Sequence, residues 1–189
     1  MAYKIIKSEP IYKGKIVELK IDTITLPNGK EALREIDVLG EAAAVMPIDA
    51  DGNVVFVRQY RHPVALSPYA SKLKARERKG MALEIPAGIV DDGEDPLVCA
   101  ARELEEETGF KSDNITHLFS MYPSIGFCTQ VVHIYKAENL YQGKQSLDPE
   151  EFIEVEKYSF EKSVEMVFNG EIIDGKSIAA IMAHWGIIK

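Results

Sequence analysis

Cysteine, histidine and tryptophan are scarce here, with 2 Cys, 4 His and 1 Trp in 189 residues. Cys99 and Cys128 are too few for a disulfide framework, and their separation follows no metal-ligand spacing. Cys99 is expected to be a buried free thiol, and two thiols suit a reducing compartment. His62, His117, His133 and His184 do not cluster, so packing or surface roles are expected for each. No apolar run is long enough to span a membrane, and Met1-Ala-Tyr-Lys-Ile-Ile-Lys7 lacks a signal-peptide core, which makes the cytoplasm the expected location. Positive charge is also short: 22 Lys and Arg face 30 Asp and Glu, a net charge of −8. Broad binding of nucleic acid or of an anionic membrane is therefore disfavoured. An anionic substrate would need local help from metal ions and a few arginines. There is no internal repeat or low-complexity segment, and the length suits one main domain with a small appended element.

Against that background stands one acidic stretch, Gly88 to Phe110. It reads as a loop running into a short helix. Asp95 can cap the helix, Pro96 suits its first position, and Gly109 sits where a left-handed residue would end it. Leu97, Ala101 and Leu104 share a face expected to pack inward. Glu103, Glu106 and Glu107 share another, where like charges repel by a few tenths of a kcal/mol per pair. The last two turns also meet the negative end of the helix dipole. A divalent cation would turn both penalties into attraction, since Mg2+ takes carboxylate and phosphate oxygens. A solvated acidic helix end is the alternative reading of the charges alone.

The full pattern decides between them. Gly88, five residues, Glu94, seven residues and then Arg102-Glu103-Leu104-x-Glu106-Glu107-x-Gly109-Phe110 match every fixed position of the Nudix box. The chain thus resembles the Nudix hydrolases, which cleave a nucleoside diphosphate linked to another group. The resemblance implies that Glu103, Glu106 and Glu107 hold Mg2+, with Mn2+ as the alternative ion. It also implies that Arg102 pairs with Glu94 to orient those glutamates, that the Ala87 carbonyl is a metal ligand, and that Glu84 lies in the substrate cleft. A glycine at 88 would let backbone and ligand approach closely.

The remaining chain is read in order. Residues 3–39 are expected as antiparallel strands, with Ile16–Leu26 and Ala32–Leu39 flanking a Pro27-Asn28-Gly29 turn. This N-terminal β extension, residues 1–39, resembles that of the ADP-ribose pyrophosphatases, where it helps form a dimer. Residues 40–189 would be the Nudix domain, an α/β/α sandwich with a mixed sheet. Its first strand is Ala42–Ile48, and Asp49–Asn53 reads as a hairpin turn rather than a calcium loop. Val54–Arg61 ends in Gln59-Tyr60-Arg61, which resembles the nucleotide-sugar and ADP-ribose Nudix enzymes. Arg34, Arg58 and Arg61 are the candidate phosphate grips, since guanidinium presents a planar fork of donors. Segment 62–80 departs from the family, with Lys72, Lys74, Arg76, Arg78 and Lys79 making either a solvated loop or a lid.

Strands are expected over 115–121, 131–137 and 152–158, and helices over 161–168 and 177–184. Between the first two strands Gly126 and Phe127 keep the ADP-ribose pattern as substrate contacts. Ile125 and Gln130 depart from it, standing where that branch has proline and an acid. Asn139–Glu151 is expected as a mobile loop with an acidic end, and related enzymes often place a catalytic acid there. Glu151 is preferred over Glu150 as base and additional metal ligand because it adjoins the next strand, with a solvated turn as the alternative. The expected reaction is Mg2+-dependent hydrolysis of a nucleoside diphosphate sugar by a homodimer, ADP-ribose giving AMP and ribose 5-phosphate. GDP-mannose or another sugar nucleotide, a nucleoside triphosphate, a capped RNA end and a non-catalytic nucleotide sensor are the alternatives.

Overall fold

Four consecutive residues of one strand, Val54 to Val57, are at most 1% exposed, so both faces of that strand are covered. This is β5 (Asn53–Tyr60), the middle strand of a sheet ordered β12-β5-β6, with β12 (Glu154–Ser159) and β6 (Met81–Glu84) antiparallel to it. The computed structural model describes residues 3–68 and 79–188. Lys72, Lys74, Arg76 and Arg78 of the expected basic loop or lid lie outside these. Within the described part of that segment, α1 (His62–Leu66) is a single short turn of helix.

A second sheet is ordered β7-β4-β10-β9, from β7 (Ala87–Ile89), β4 (Glu41–Pro47), β10 (Val131–Glu138) and β9 (Asn114–Met121). β4 and β7 are antiparallel, whereas Ile48 N–H meets the Ala137 carbonyl (2.8 Å), which brings the C-terminal ends of β4 and β10 together. The sheet is therefore mixed. The Asp49–Asn53 hairpin turn forms as expected, with the Asp49 carboxylate accepting from the Asp51 (3.1 Å) and Asn53 (2.9 Å) amides.

The helix of the acidic stretch is α2 (Pro96–Thr108). Asp95 accepts from the Leu97 amide (2.8 Å), Pro96 opens the helix, and Gly109 ends it at φ +73°. Its inward face differs from the expected one. Leu104 is buried as expected, but Leu97 is 41% exposed and Ala101 is only partly buried, and Cys99 and Ala100 join Leu104 inside, packed with Ala43, Val45, Tyr135 and Ala137. Small Cys99 and Ala100 let the helix lie close on the sheet, a preference that hydrophobicity alone does not reveal. Burial of Leu104 contributes about 2–3 kcal/mol, and Leu104→Ala would cost about 2–5 kcal/mol. A short pair, β8 (Phe110–Lys111) with β11 (Tyr141–Gln142), follows α2. Near the C-terminus, α3 (Phe160–Phe168), capped by the Ser159 hydroxyl, contacts β12 and β5, and α4 (Gly175–Ile188) packs on α3.

The N-terminal strands form a separate compact unit: β1 (Lys4–Lys13), β2 (Glu18–Thr25) and β3 (Glu31–Asp37), in that order and antiparallel. The unit is wider than residues 1–39, because it runs to Glu41 and includes Met121–Val131. A parallel bridge joins Asp37 to Cys128, and the Asp37 amide donates to the Phe127 carbonyl (2.7 Å).

Candidate active site

β7 is the outermost strand of its sheet, and its register sets the first part of the site. Val45 N–H donates to the Pro86 carbonyl (2.9 Å), so the next pair, Ala44 with Ala87, is a non-hydrogen-bonded one. The Ala87 N–H and C=O therefore both turn away from β4. That N–H donates to Glu107 Oε2 (3.0 Å). One residue on, Gly88 makes room for Glu103, since a Cβ there would lie 1.9 Å from Glu103 Oε1. A main-chain carbonyl and two carboxylates thus converge along one edge.

Arg102 holds the acidic face together. It forms a fork with Glu94, Nε to Oε1 and Nη2 to Oε2, both 3.0 Å. Its Nη1 also reaches Glu103 (2.6 Å) and Glu106 (3.0 Å). The expected Glu94–Arg102 pairing is present. Through hydrogen bonding to Arg102, Glu94 is held at about 2. Glu103 is shifted upward by burial, which outweighs Arg102, with the Glu106 and Glu151 charges adding to the rise. Glu107, only 4% exposed, is pushed up to about 8 by burial and then by Glu103, against the Ala87 amide, with Glu151 contributing further. Among the described residues, no three His, Cys, Asp or Glu side chains are gathered as a ready-made metal cage. Glu103 and Glu106 are instead bonded to Arg102. The buried Cys99 thiol beside this cluster rises to about 12, chiefly through burial, which disfavours the thiolate.

A second charged cluster was not visible beforehand. Glu84, 3% exposed, accepts a fork from Arg61 (Nε 2.7 Å, Nη2 2.9 Å) and a bond from Lys176 Nζ (2.6 Å). Burial opposes its ionisation, yet Arg61 and Lys176 together hold it at about 2. Lys176 also reaches Asp174 (3.0 Å), whose carboxylate caps α4 at the Ser177 amide (3.0 Å). The Ser177 hydroxyl in turn accepts from the Ile85 amide (2.9 Å), fixing the start of α4 against the Glu84–Ala87 segment. The signal in the sequence is Asp174-Gly-Lys-Ser177, where an aspartate three residues before Ser177 suits a helix cap. Arg61 and Glu84 line a pocket of about 390 Å3 with Pro63, Val64, Ala82 and Ile173.

The other expected site residues lie on other elements. Arg58, 13% exposed, is paired with Glu156, which also accepts from Tyr158. Arg34, Gly126 and Phe127 belong to the N-terminal unit, where Arg34 donates to the Leu33 carbonyl (2.8 Å) and Phe127 is 56% exposed. Glu151 closes a turn with Asp148, its amide donating to the Asp148 carbonyl (2.9 Å) and its carboxylate accepting from the Asp148 amide (3.2 Å). Its charge is felt by both Glu103 and Glu107, whereas that of Glu150 is not among the main influences on either.

The NUDIX domain family matches residues 38–180. The chain belongs to the Nudix family. A Bacillus subtilis protein named ADP-ribose pyrophosphatase is 37% identical over 94% of this chain and 90% of its own length. A Bacillus methanolicus protein named methanol dehydrogenase activator is 35% identical over the same shares. GDP-mannose pyrophosphatase of Yersinia pestis is 34% identical over 78% of this chain and 72% of its own. In fold, the chain is similar to a crystal structure titled ADP compounds hydrolase, with a TM-score of 0.82 at 18% identity, covering 100% of this chain and 95% of that one. Nudix members are pyrophosphohydrolases that generally depend on a divalent metal, and no helix described here is long and apolar enough to cross a membrane.

Proposed function

We propose that this Nudix enzyme hydrolyses the pyrophosphate of a nucleoside diphosphate sugar, with ADP-ribose as first substrate. The observation that carries the reading is the convergence of Glu103 on Gly88 and of Glu107 on the Ala87 amide. An all-oxygen donor set, a cradle that a Cβ would fill and a buried carboxylate pushed to about 8 all fit a hard divalent cation. The Ala87 carbonyl, Glu103 and Glu107 would hold Mg2+, or Mn2+ as the alternative, with Glu106 and Glu151 beside them. When bound, the cation neutralises phosphate charge and makes water more acidic.

The protein's own groups supply orientation and proton transfer. Glu84 fixes the Arg61 fork, and Arg61, with 41% of its side chain exposed, can present it to the diphosphate. Both arginines hold a carboxylate, but Arg58 is 13% exposed, so the more exposed Arg61 is the phosphate grip we favour. Glu151 would accept a proton from the attacking water as its oxygen bonds to one phosphorus. The bridging P–O bond then breaks and the oxygen leaves with the other phosphate, so ADP-ribose and water give AMP and ribose 5-phosphate. The relatives named for ADP-ribose and GDP-mannose support the substrate class.

The N-terminal unit supports a homodimer. All ten residues of β1 are exposed, Ile5, Ile11 and Tyr12 among them, as is Leu33 of β3. Pairing through this unit should bury more than roughly 1,000 Å2, and a monomer by sedimentation at working concentration would contradict it. Two free cysteines support a cytoplasmic location. The deciding assay incubates the protein and Mg2+ with ADP-ribose, GDP-mannose, a nucleoside triphosphate and capped RNA, with products identified by 31P NMR. AMP and ribose 5-phosphate from ADP-ribose are expected. Turnover of the triphosphate or the RNA alone would overturn the substrate class, and binding without turnover would mark a sensor.

A further inference from the structure

We propose that Gln145 is a positioning residue, tethering the loop that carries Glu151 to the Glu107 carbonyl. The inference rests on the reading of Glu151 as the general base. It comes from the way α2 ends. A helix leaves its last four carbonyls without intrahelical partners, and these must be satisfied from elsewhere. Gly109 N–H takes the Glu105 carbonyl (2.8 Å). The next two carbonyls are met by the loop: Ser146 N–H donates to Glu106 O (3.0 Å) and Gln145 Nε2 to Glu107 O (2.7 Å). Gly109 O in turn accepts from Gly143 N–H (2.8 Å) and Gln142 Nε2 (3.1 Å).

The contact is close as well as bonded. A Cβ on Gly109 would stand 3.2 Å from the Gln145 amide nitrogen, and one on Gly143 would stand 2.7 Å from Lys111 Cγ. The loop expected to be mobile is thus anchored over residues 142–146. Its tip, Asp148 to Glu151, is held by its own turn, and the Glu151 charge reaches Glu103 and Glu107. The bonds therefore run to the main chain of the residues whose side chains form the proposed metal face. Between Gln145 and Glu151 the chain could extend roughly 20 Å if unanchored. Releasing the tether would let the carboxylate leave its working position while the metal face stays in place. Misplacement by about 1 Å can cost about 10²-fold in rate, so a partial release should cost about tenfold.

A four-protein cycle tests this: wild type, Gln145→Ala, Glu151→Gln and the double variant, each assayed with Mg2+ and ADP-ribose. Gln145→Ala should lower kcat about tenfold with KM within about twofold, and should lower it no further in the Glu151→Gln background. Gln145→Glu, which keeps the length but cannot donate, should reproduce the loss if the alanine variant folds poorly. Thermal melts and Mn2+ affinity of each variant separate this from damage to the helix end, which would weaken metal binding in both backgrounds. A loss of equal factor in both backgrounds, or no loss in a folded Gln145→Ala protein, overturns the positioning role. Full turnover in Glu151→Gln alone overturns the general-base reading, and the positioning role with it. A Glu151→Gln loss joined to an additive Gln145→Ala loss overturns only the positioning.

Discussion

Gly88→Ala should separate the activity of this enzyme from its stability. The added Cβ would lie 1.9 Å from Glu103 Oε1, 2.2 Å from Cδ and 2.9 Å from Oε2, so the carboxylate is what must give way. Reaching ordinary contact near 3.5 Å asks it to retreat by roughly 1.5 Å. Glu103 is a long side chain at the end of flexible torsions, and Gly88 has no positive φ that would penalise alanine. Gly→Ala at a compatible backbone position changes stability by about 0.4–1 kcal/mol through the unfolded chain, so the melting temperature should move by only a few degrees. Catalysis should respond quite differently. Displacing a ligand by more than about 1 Å costs on the order of 10²-fold in rate, and Mn2+ titration followed by electron paramagnetic resonance should show weakened binding. A folded Gly88→Ala protein with wild-type kcat and metal affinity would refute the placement of Glu103 at the working face.

Glu107→Gln should fold normally and lose turnover severely, by an effect of several kcal/mol in transition-state stabilisation; near-wild-type turnover would sink the assignment. The same substitution carries a pH signature in the absence of divalent metal. Glu107 moves from an ordinary 4.5 up to about 8 on folding, so its protonated form is favoured in the fold and wild-type stability falls as pH rises from about 4.5 to 8. The melting-temperature advantage of Glu107→Gln should therefore grow across that window, and a constant difference would contradict it. Glu84 has the opposite sign: held at about 2 against 4.5, it contributes stability above pH 4.5 that is lost as pH falls towards 2. Glu84→Gln should flatten that acid limb in chemical denaturation. Lys176→Met should cost about 3 kcal/mol by leaving the buried Glu84 with Arg61 alone, and a cost below about 1 kcal/mol would count against the clamp.

The parts legible in the sequence were those written over a few neighbouring residues. Asp95, Pro96 and Gly109 announced both ends of α2, and the helix formed between them. The Asp49–Asn53 turn was likewise a local pattern, whereas the Glu94–Arg102 pair followed from the resemblance to the Nudix box. Failures came where distant segments decide. Which side of α2 faces inward depends on how closely the sheet approaches, so small Cys99 and Ala100 displaced Leu97 from the interior. Glu84 and Lys176 are 92 residues apart, and only the meeting of β6 with the start of α4 makes them partners. The join of 121–131 to the N-terminal strands rests on a parallel bridge, which leaves no alternation to read. The acidic loop looked unstructured because its anchors are single polar groups reaching another element's carbonyls, a pattern without periodicity.

The contacts of Arg102 offset the repulsion along the acidic face of α2. Glu94, Glu103 and Glu106 share one guanidinium, so Arg102 satisfies several carboxylates at once while drawing Glu106 away from Glu107. Glu107 has no such partner; its Ala87 amide bond does not offset burial beside Glu103, and its pKa rises to about 8. Burial beside Glu103 thus favours the protonated form of the carboxylate that accepts from the Ala87 amide. A divalent cation competes with that proton and with Arg102, and each competition lowers its apparent affinity. The compensation is geometric. β7 turns the Ala87 carbonyl outward, Gly88 leaves space beside Glu103, and the Glu94 fork holds Arg102 by its Nε and Nη2.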